Sequence, residues 1–155
     1  MSSSPYITTQ GMTCLNQELE ARWKRRREVV KALSAAAAEG DRSENAEYIY
    51  RKKELREIDR RIRYLQKRMP DLRVISESPD DIDTVFFAAW VKLRTEQGGD
   101  VEYRIVGPDE IDQQKGNISL DSPLAIALLS KQVTDEITIQ VQNGRKNYVI
   151  LAIRY

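Results

Sequence analysis

Two runs of apolar residues at helical spacing, separated by a glycine turn, constrain the first half of this chain more than any other feature. In the first, from about Thr13 to Glu39, Leu15, Leu19, Trp23, Val30, Leu33 and Ala37 fall on one stripe of a helix, interrupted by Arg26. The second begins near Ser43 with Tyr48, and its Leu55, Ile58, Ile62, Leu65 and Met69 alternate three and four as a two-helix seam requires. Pro70 stops that run, because proline lacks a donor and clashes with the preceding turn. The link Ala38-Glu39-Gly40-Asp41-Arg42 offers Gly40 for the left-handed end of one helix and Asp41 as cap of the next. So short a link makes the helices antiparallel neighbours, each roughly 40 Å long at 1.5 Å per residue. Each stripe is narrow and the other faces are charged. Residues 1–75 therefore read as a free-standing two-helix coiled-coil arm.

After Pro70 the period turns strand-like in Thr84 to Leu93, Val101 to Val106, Glu136 to Gln142 and Tyr148 to Tyr155. Gly98-Gly99 and Asn143-Gly144 supply hairpin turns. Ser122-Pro123 before Leu124-Ala125-Ile126-Ala127-Leu128-Leu129 reads as a capped short helix. An antiparallel sheet with one short helix is expected over residues 76–155, beyond the polar segment Ser76 to Asp83, and the chain as a whole is α+β.

Composition narrows the chemistry. There is no histidine and a single cysteine, Cys14, so zinc sites, disulfides and Ser-His or Cys-His nucleophiles are ruled out as readings. The formal net charge of +1 hides an asymmetry: residues 1–72 hold 16 Lys+Arg against 11 Asp+Glu, residues 73–155 hold 9 against 13. No stretch approaches the roughly 20 apolar residues of a membrane span, and a cytoplasmic protein without a membrane partner is expected.

The informative stretch is Gly40-Asp41-Arg42-Ser43-Glu44-Asn45-Ala46-Glu47-Tyr48. Asp41 and Glu44 have the spacing of a capping box, which any helix can use. They also sit at the far end of an arm that needs no catalytic residue, and carboxylates three apart can face one side. Two carboxylates alone cannot complete a magnesium shell, so a metal role would need the acids of a partner's active site.

This tip resembles the signature of the Gre-type bacterial transcript cleavage factors: Gly-Asp, one residue, Ser-Glu-Asn. Tyr50 to Leu65 resembles the second arm helix of the family's GreB-like branch, which is more basic there than the GreA-like branch. Val85 to Val91, Tyr103 to Gly107 and Ile118 to Leu129 resemble Gre segments in the same order. The resemblance implies an N-terminal coiled-coil arm and an FKBP-like C-terminal domain. It implies an accessory factor rather than an enzyme, whose partners are bacterial RNA polymerase, entered through its secondary channel, and the nascent RNA 3′ end; a monomer is expected. Asp41 and Glu44 would help hold the second catalytic Mg²⁺ beside the polymerase's own aspartates during hydrolysis of backtracked RNA. Arg42, Ser43 and Asn45 would position the tip. Trp23 to Arg27 is more basic than the family's first helix.

Most arm cations are expected to form a solvated face laced by pairs such as Glu57 with Arg61 and Asp59 with Arg63. Arg51, Lys52 and Lys53, nearest the tip and read as free of an acid four positions away, are the choice for the RNA 3′ segment. Asp121, Ser122 and Pro123 read as a helix start, and by resemblance as a loop that contacts the polymerase rim, with Leu124 as an apolar anchor. Two other readings are a Gre-like channel inhibitor, which would have an altered tip, and an FKBP-fold isomerase or chaperone. For the latter the second half has few aromatics to line a proline pocket.

Overall fold

A computed structural model describes residues 3–40 and 45–155. The chain divides into two compact units, Thr13–Leu72 and the combination of Met1–Met12 with Arg73–Tyr155.

The first unit is the helical hairpin. Helix α1 spans Thr9–Ala37, its first residues belonging to the other unit, and α2 spans Ala46–Arg68. A 3-10 turn, Met69–Asp71, carries Pro70 and ends the second helix where the proline removes a donor. Val29, Ile58 and Ile62 form one buried cluster of the seam, with Leu19 and Leu55 packed beside them, and Leu15, Ala36 and Leu65 are buried elsewhere along the two helices. Arg26, which breaks the apolar stripe of α1, donates through Nε to Asp59 at 2.7 Å, so a cross-helix ion pair occupies the gap. Glu18 receives Arg61 Nε at 2.7 Å and a second guanidinium nitrogen at 2.9 Å, and Arg25 Nε reaches Glu54 at 2.9 Å. Early residues of α1 thus meet late residues of α2, which makes the pair antiparallel. Arg61 and Asp59 pair across the seam rather than with Glu57 and Arg63, because their side chains flank the buried face.

The second unit opens with strand β1, Tyr6–Thr8, paired in parallel with β2, Arg73–Ile75. Its main sheet holds β3 (Trp90–Thr95), β4 (Asp100–Val106), β5 (Asn117–Ser119), β6 (Glu136–Val141) and β7 (Gly144–Arg154) in the order β5-β4-β3-β7-β6. All neighbours are antiparallel except β4 and β5, where a purely antiparallel sheet was expected. The turns at Gly98 and Gly144, both at positive φ, close the β3-β4 and β6-β7 hairpins. Helix α3, Pro123–Leu128, is capped by Ser122, whose Oγ accepts from Ala125 N at 3.3 Å.

Val91 and Leu93 alternate inward with outward Lys92 and Arg94, and join Ile105, Ala125, Leu128, Ile137, Tyr148 and Ile150 in one core. On the outward face Arg94 pairs with Asp100 at 3.2 Å and Arg154 with Glu102 at 3.1 Å. Trp90 lies there beneath Arg104, whose guanidinium carbon is 3.7 Å from the ring centroid.

Two expectations change. The run Thr84 to Leu93 is not one strand: Ala88 takes φ 74°, a left-handed turn residue, and regular pairing starts at Trp90. The division at residue 75 also differs from the compact units, because β1 hydrogen-bonds to β2 and draws the first dozen residues into the globular unit.

Candidate functional site

The tip of the hairpin is organised by Asn45. Its side-chain oxygen accepts from Tyr48 N at 3.1 Å, making it the N-cap of α2, and its Nδ2 donates to Ala36 O at 2.8 Å. One amide therefore satisfies an orphan donor at the start of α2 and an orphan carbonyl at the end of α1. Gly40 takes φ 120° after the last turn of α1, as the glycine reading required. Helix α2 is described from Ala46 with Asn45 as its cap, and the expected start near Ser43 and cap at Asp41 fall on residues outside the described ones. Asp41, Arg42, Ser43 and Glu44 lie outside the described residues. Asn45 was the one tip residue read as positioning that can be located, and the bifunctional amide gives it a local structural task.

Behind the tip, Arg51 donates to Glu47 at 2.8 Å and to Glu54 at 2.9 Å. It does have an acid four positions away, Glu47, so its charge is engaged, and both carboxylates raise its pKa. Hydrogen bonds from Arg25 first, and from Arg51, lower that of Glu54. Lys52 and Lys53 are exposed, and Lys52 Nζ lies 5.8 Å from the Tyr48 ring centroid; Lys53 has Glu57 one turn further on. Tyr48 itself is half-buried, whereas Ile49 and Tyr50 are 53% and 60% exposed. Lower in the arm the Arg61 guanidinium, with Arg22 assisting, holds Glu18 down to about 2 against partial burial that raises it.

In the globular unit the four residues read as a docking loop have distinct tasks. Asp121 receives both the backbone N–H and the hydroxyl of Ser4. Ser122 caps α3, Pro123 is exposed in its first turn and Leu124 is half-buried. Ser122, Pro123 and Leu124 border a groove of about 550 Å³ whose apolar walls come from Ile111, Ile118 and Ile139. Among the described residues no three acids or cysteines come close enough to hold a metal, and no helix is long and apolar enough to cross a membrane.

Sequence reasoning missed Glu110. Its carboxylate accepts from Thr8 N at 3.0 Å, Gly107 N at 2.7 Å and the Thr8 hydroxyl, while Thr8 Oγ1 in turn accepts from Gly11 N at 3.0 Å. A negative group thus sits at the start of α1, which carries no acid in its own first turn. Gly107 is obligatory beside it: a Cβ there would lie 1.9 Å from Tyr6 O. Glu110 is 102 residues from Thr8, so no local spacing could have announced the contact.

Residues 5–74 match the family model described as "Transcription elongation factor, N-terminal", and residues 79–155 match "Transcription elongation factor, GreA/GreB, C-term". The chain is 53% identical over 156 residues to transcription elongation factor GreB of Yersinia pestis, covering 100% of this chain and 91% of that protein. It is 54% identical over 155 residues to GreB of Xanthomonas axonopodis pv. citri, covering 99% and 92%. A solved GreA/GreB structure from Nitrosomonas europaea is 20% identical, with a TM-score of 0.45 over 98% of this chain and 100% of that one. With both family models matched in order along the chain and half of all positions shared with full-length GreB proteins, this chain is a GreB-like member of the GreA/GreB family of transcription elongation factors.

Proposed function

We propose that this chain enters the secondary channel of bacterial RNA polymerase and stimulates cleavage of backtracked nascent RNA, lending Asp41 and Glu44 to a hydrolytic site it does not own. The observation that carries this reading is the cap of α2. Asn45 fills the capping role that would otherwise account for the two tip carboxylates, which leaves them without that structural explanation.

The donor chemistry suits the proposal. Aspartate and glutamate offer the hard oxygens that Mg²⁺ takes, and two of them leave most of an octahedral shell to waters, substrate and other acids. Asp41 and Glu44 would hold the second Mg²⁺ jointly with the polymerase's aspartates; the ion supplies activation of the attacking water and charge neutralisation. Arg42 and Ser43 orient the tip within the channel, and Asn45 fixes the helix ends from which it springs. Lys52 and Lys53 contact the RNA 3′ segment, with Arg51, held between Glu47 and Glu54, in a lesser part. The loop Asp121 to Leu124 and the apolar groove beside it dock on the polymerase rim. The chain works as a cytoplasmic monomer.

The test is incubation with a stalled, backtracked elongation complex, scoring release of the RNA 3′ end. Release accelerated by the chain, with no RNA hydrolysis when polymerase is omitted, is the expected result. Magnesium-dependent RNA hydrolysis by the chain alone, or no acceleration, would overturn it.

A further inference from the structure

Residues 4–8 are tied to the rest of the globular unit at both ends. At one end Thr8 meets Glu110, 102 residues further along. At the other, 117 residues from its partner, Ser4 gives two donors to one carboxylate: its backbone N–H reaches Asp121 Oδ2 at 3.0 Å and its hydroxyl reaches Asp121 Oδ1. Between these points Arg73 N donates to Pro5 O at 2.7 Å, Ile7 is fully buried, and the Tyr6 ring lies 6.1 Å from that of Phe87. The path of the segment is therefore fixed before Ser4 contributes anything.

The fold gains little from the contact at Ser4. Ser4 is half-buried and Asp121 is exposed, so water competes for the donors and acceptors of the pair. What the contact restrains is the turn that leads into α3. Ser119 holds that turn from within, its Oγ accepting from Asp121 N at 3.0 Å and its carbonyl from Ser122 N at 2.9 Å. Asp121 adds a tie from outside, to a segment anchored elsewhere. Both of its carboxylate oxygens are engaged by its own chain, whereas Pro123 and Ile111 stay exposed at the border of the apolar groove.

From the paired bonds of Ser4 to Asp121 we infer that Ser4 is a positioning residue for polymerase docking, which acts through Asp121 to hold the loop Asp121 to Leu124 in the pose that borders the groove. This rests on the docking role proposed above for that loop, and it gives Asp121 an internal task rather than a contact with the polymerase. A loop held in place before docking loses less conformational freedom on binding. The gain appears in affinity rather than in the melting temperature.

The test uses the intact chain with Ser4→Ala, with Asp121→Ala, with both together, and with Ser4→Thr, which keeps the hydroxyl. Affinity for RNA polymerase is measured well below the melting temperature, and a thermal melt is recorded for each variant. Ser4→Ala is expected to bind about three-fold more weakly than the parent, the scale of one exposed hydrogen bond, and Asp121→Ala more weakly still. The double variant should match Asp121→Ala, since the two residues act as one unit. Ser4→Thr should match the parent, and all melts should agree. The Asp121 and Ser122 amides should exchange hydrogen faster in Ser4→Ala than in the parent. Parent-like binding by Ser4→Ala, or losses that add in the double variant, would overturn the inference. Melts that fall in step with affinity would overturn it too, in favour of a purely structural contact. Ile111→Asp, a charge at an exposed position of the groove, separates the two readings. Lost binding there upholds the docking reading whatever Ser4→Ala does, and parent-like binding strikes that reading and this inference with it.

Discussion

In the arm the buried apolar residues are few and strung along the two helices, Leu15, Val29 and Ala36 on α1 and Ile58, Ile62 and Leu65 on α2, and ion pairs between the helices lie beside them. In the globular unit ten buried residues from the strands, α3 and the Val85 to Ala89 turn form one core, and the charged ladder on the outer sheet face is peripheral to it. The first arrangement suits a slender element with solvent on most sides, where little apolar area can be hidden and each partner must be found across the seam. The second is an ordinary layered core, stable through burial. The difference teaches that charge in the arm is structural on the inside and available for a partner on the outside.

The largest effect that could break this comparison is a core truncation. Leu93→Ala should cost the globular unit about 3 kcal/mol, within the range for buried leucines. Ile58→Ala in the thin seam should cost less, about 2 kcal/mol, because neighbouring side chains and water can close the gap. Denaturant titration of both variants decides it, and equal losses would mean the seam is as tightly packed as the core.

Glu110→Ala comes next. It strips acceptors from Thr8 N and Gly107 N at once, and about 2 kcal/mol of destabilisation is expected by thermal melting. A parent-like melt would show that water replaces the carboxylate.

Glu18→Gln probes the arm's electrostatic half. The carboxyl is shifted down from 4.5 to about 2 by Arg61 and Arg22. Its contribution is fully present above pH 4.5 and is lost as pH falls through about 2. Allowing for solvent screening, the variant should be weaker than the parent by about 1 kcal/mol at neutral pH. Helical melts at several pH values should show that gap vanish near pH 2. A gap independent of pH would assign the loss to packing.

The smallest effect sharpens the account of the tip. Asn45→Ala should lower arm stability by about 1 kcal/mol, whereas Asp41→Asn and Glu44→Gln should change it by less than about 0.5 kcal/mol. Calorimetry on the three variants tests whether the cap of α2 is Asn45 in solution.

Much of this was legible in the sequence where the signal is local. The three-four spacing of Leu55 to Met69, Pro70, the glycine turns and the Ser122-Pro123 start each act over a few residues, and the elements follow. The strand pair β1-β2 joins three residues at the N-terminus to three beyond the arm, too short for any period and too distant for any turn signal. Arg61 could be matched with Glu57 on one helix but not with Glu18, 43 residues away. At the tip, Gly40 was readable from its conformational need, while Asp41 hid the cap because aspartate and asparagine both suit that task. Only the amide's second bond, to Ala36 O, distinguishes Asn45.

The most direct measurement of the central claim is the rate of RNA 3′-end release from a backtracked complex at saturating Asp41→Asn or Glu44→Gln chain, with polymerase binding followed in parallel. Each variant removes one charge from the tip while the cap at Asn45 stays in place. Release should collapse by at least ten-fold while binding stays within two-fold of the parent. Near-normal release by either variant, with binding intact, would contradict the claim and show that the charge at that position is dispensable.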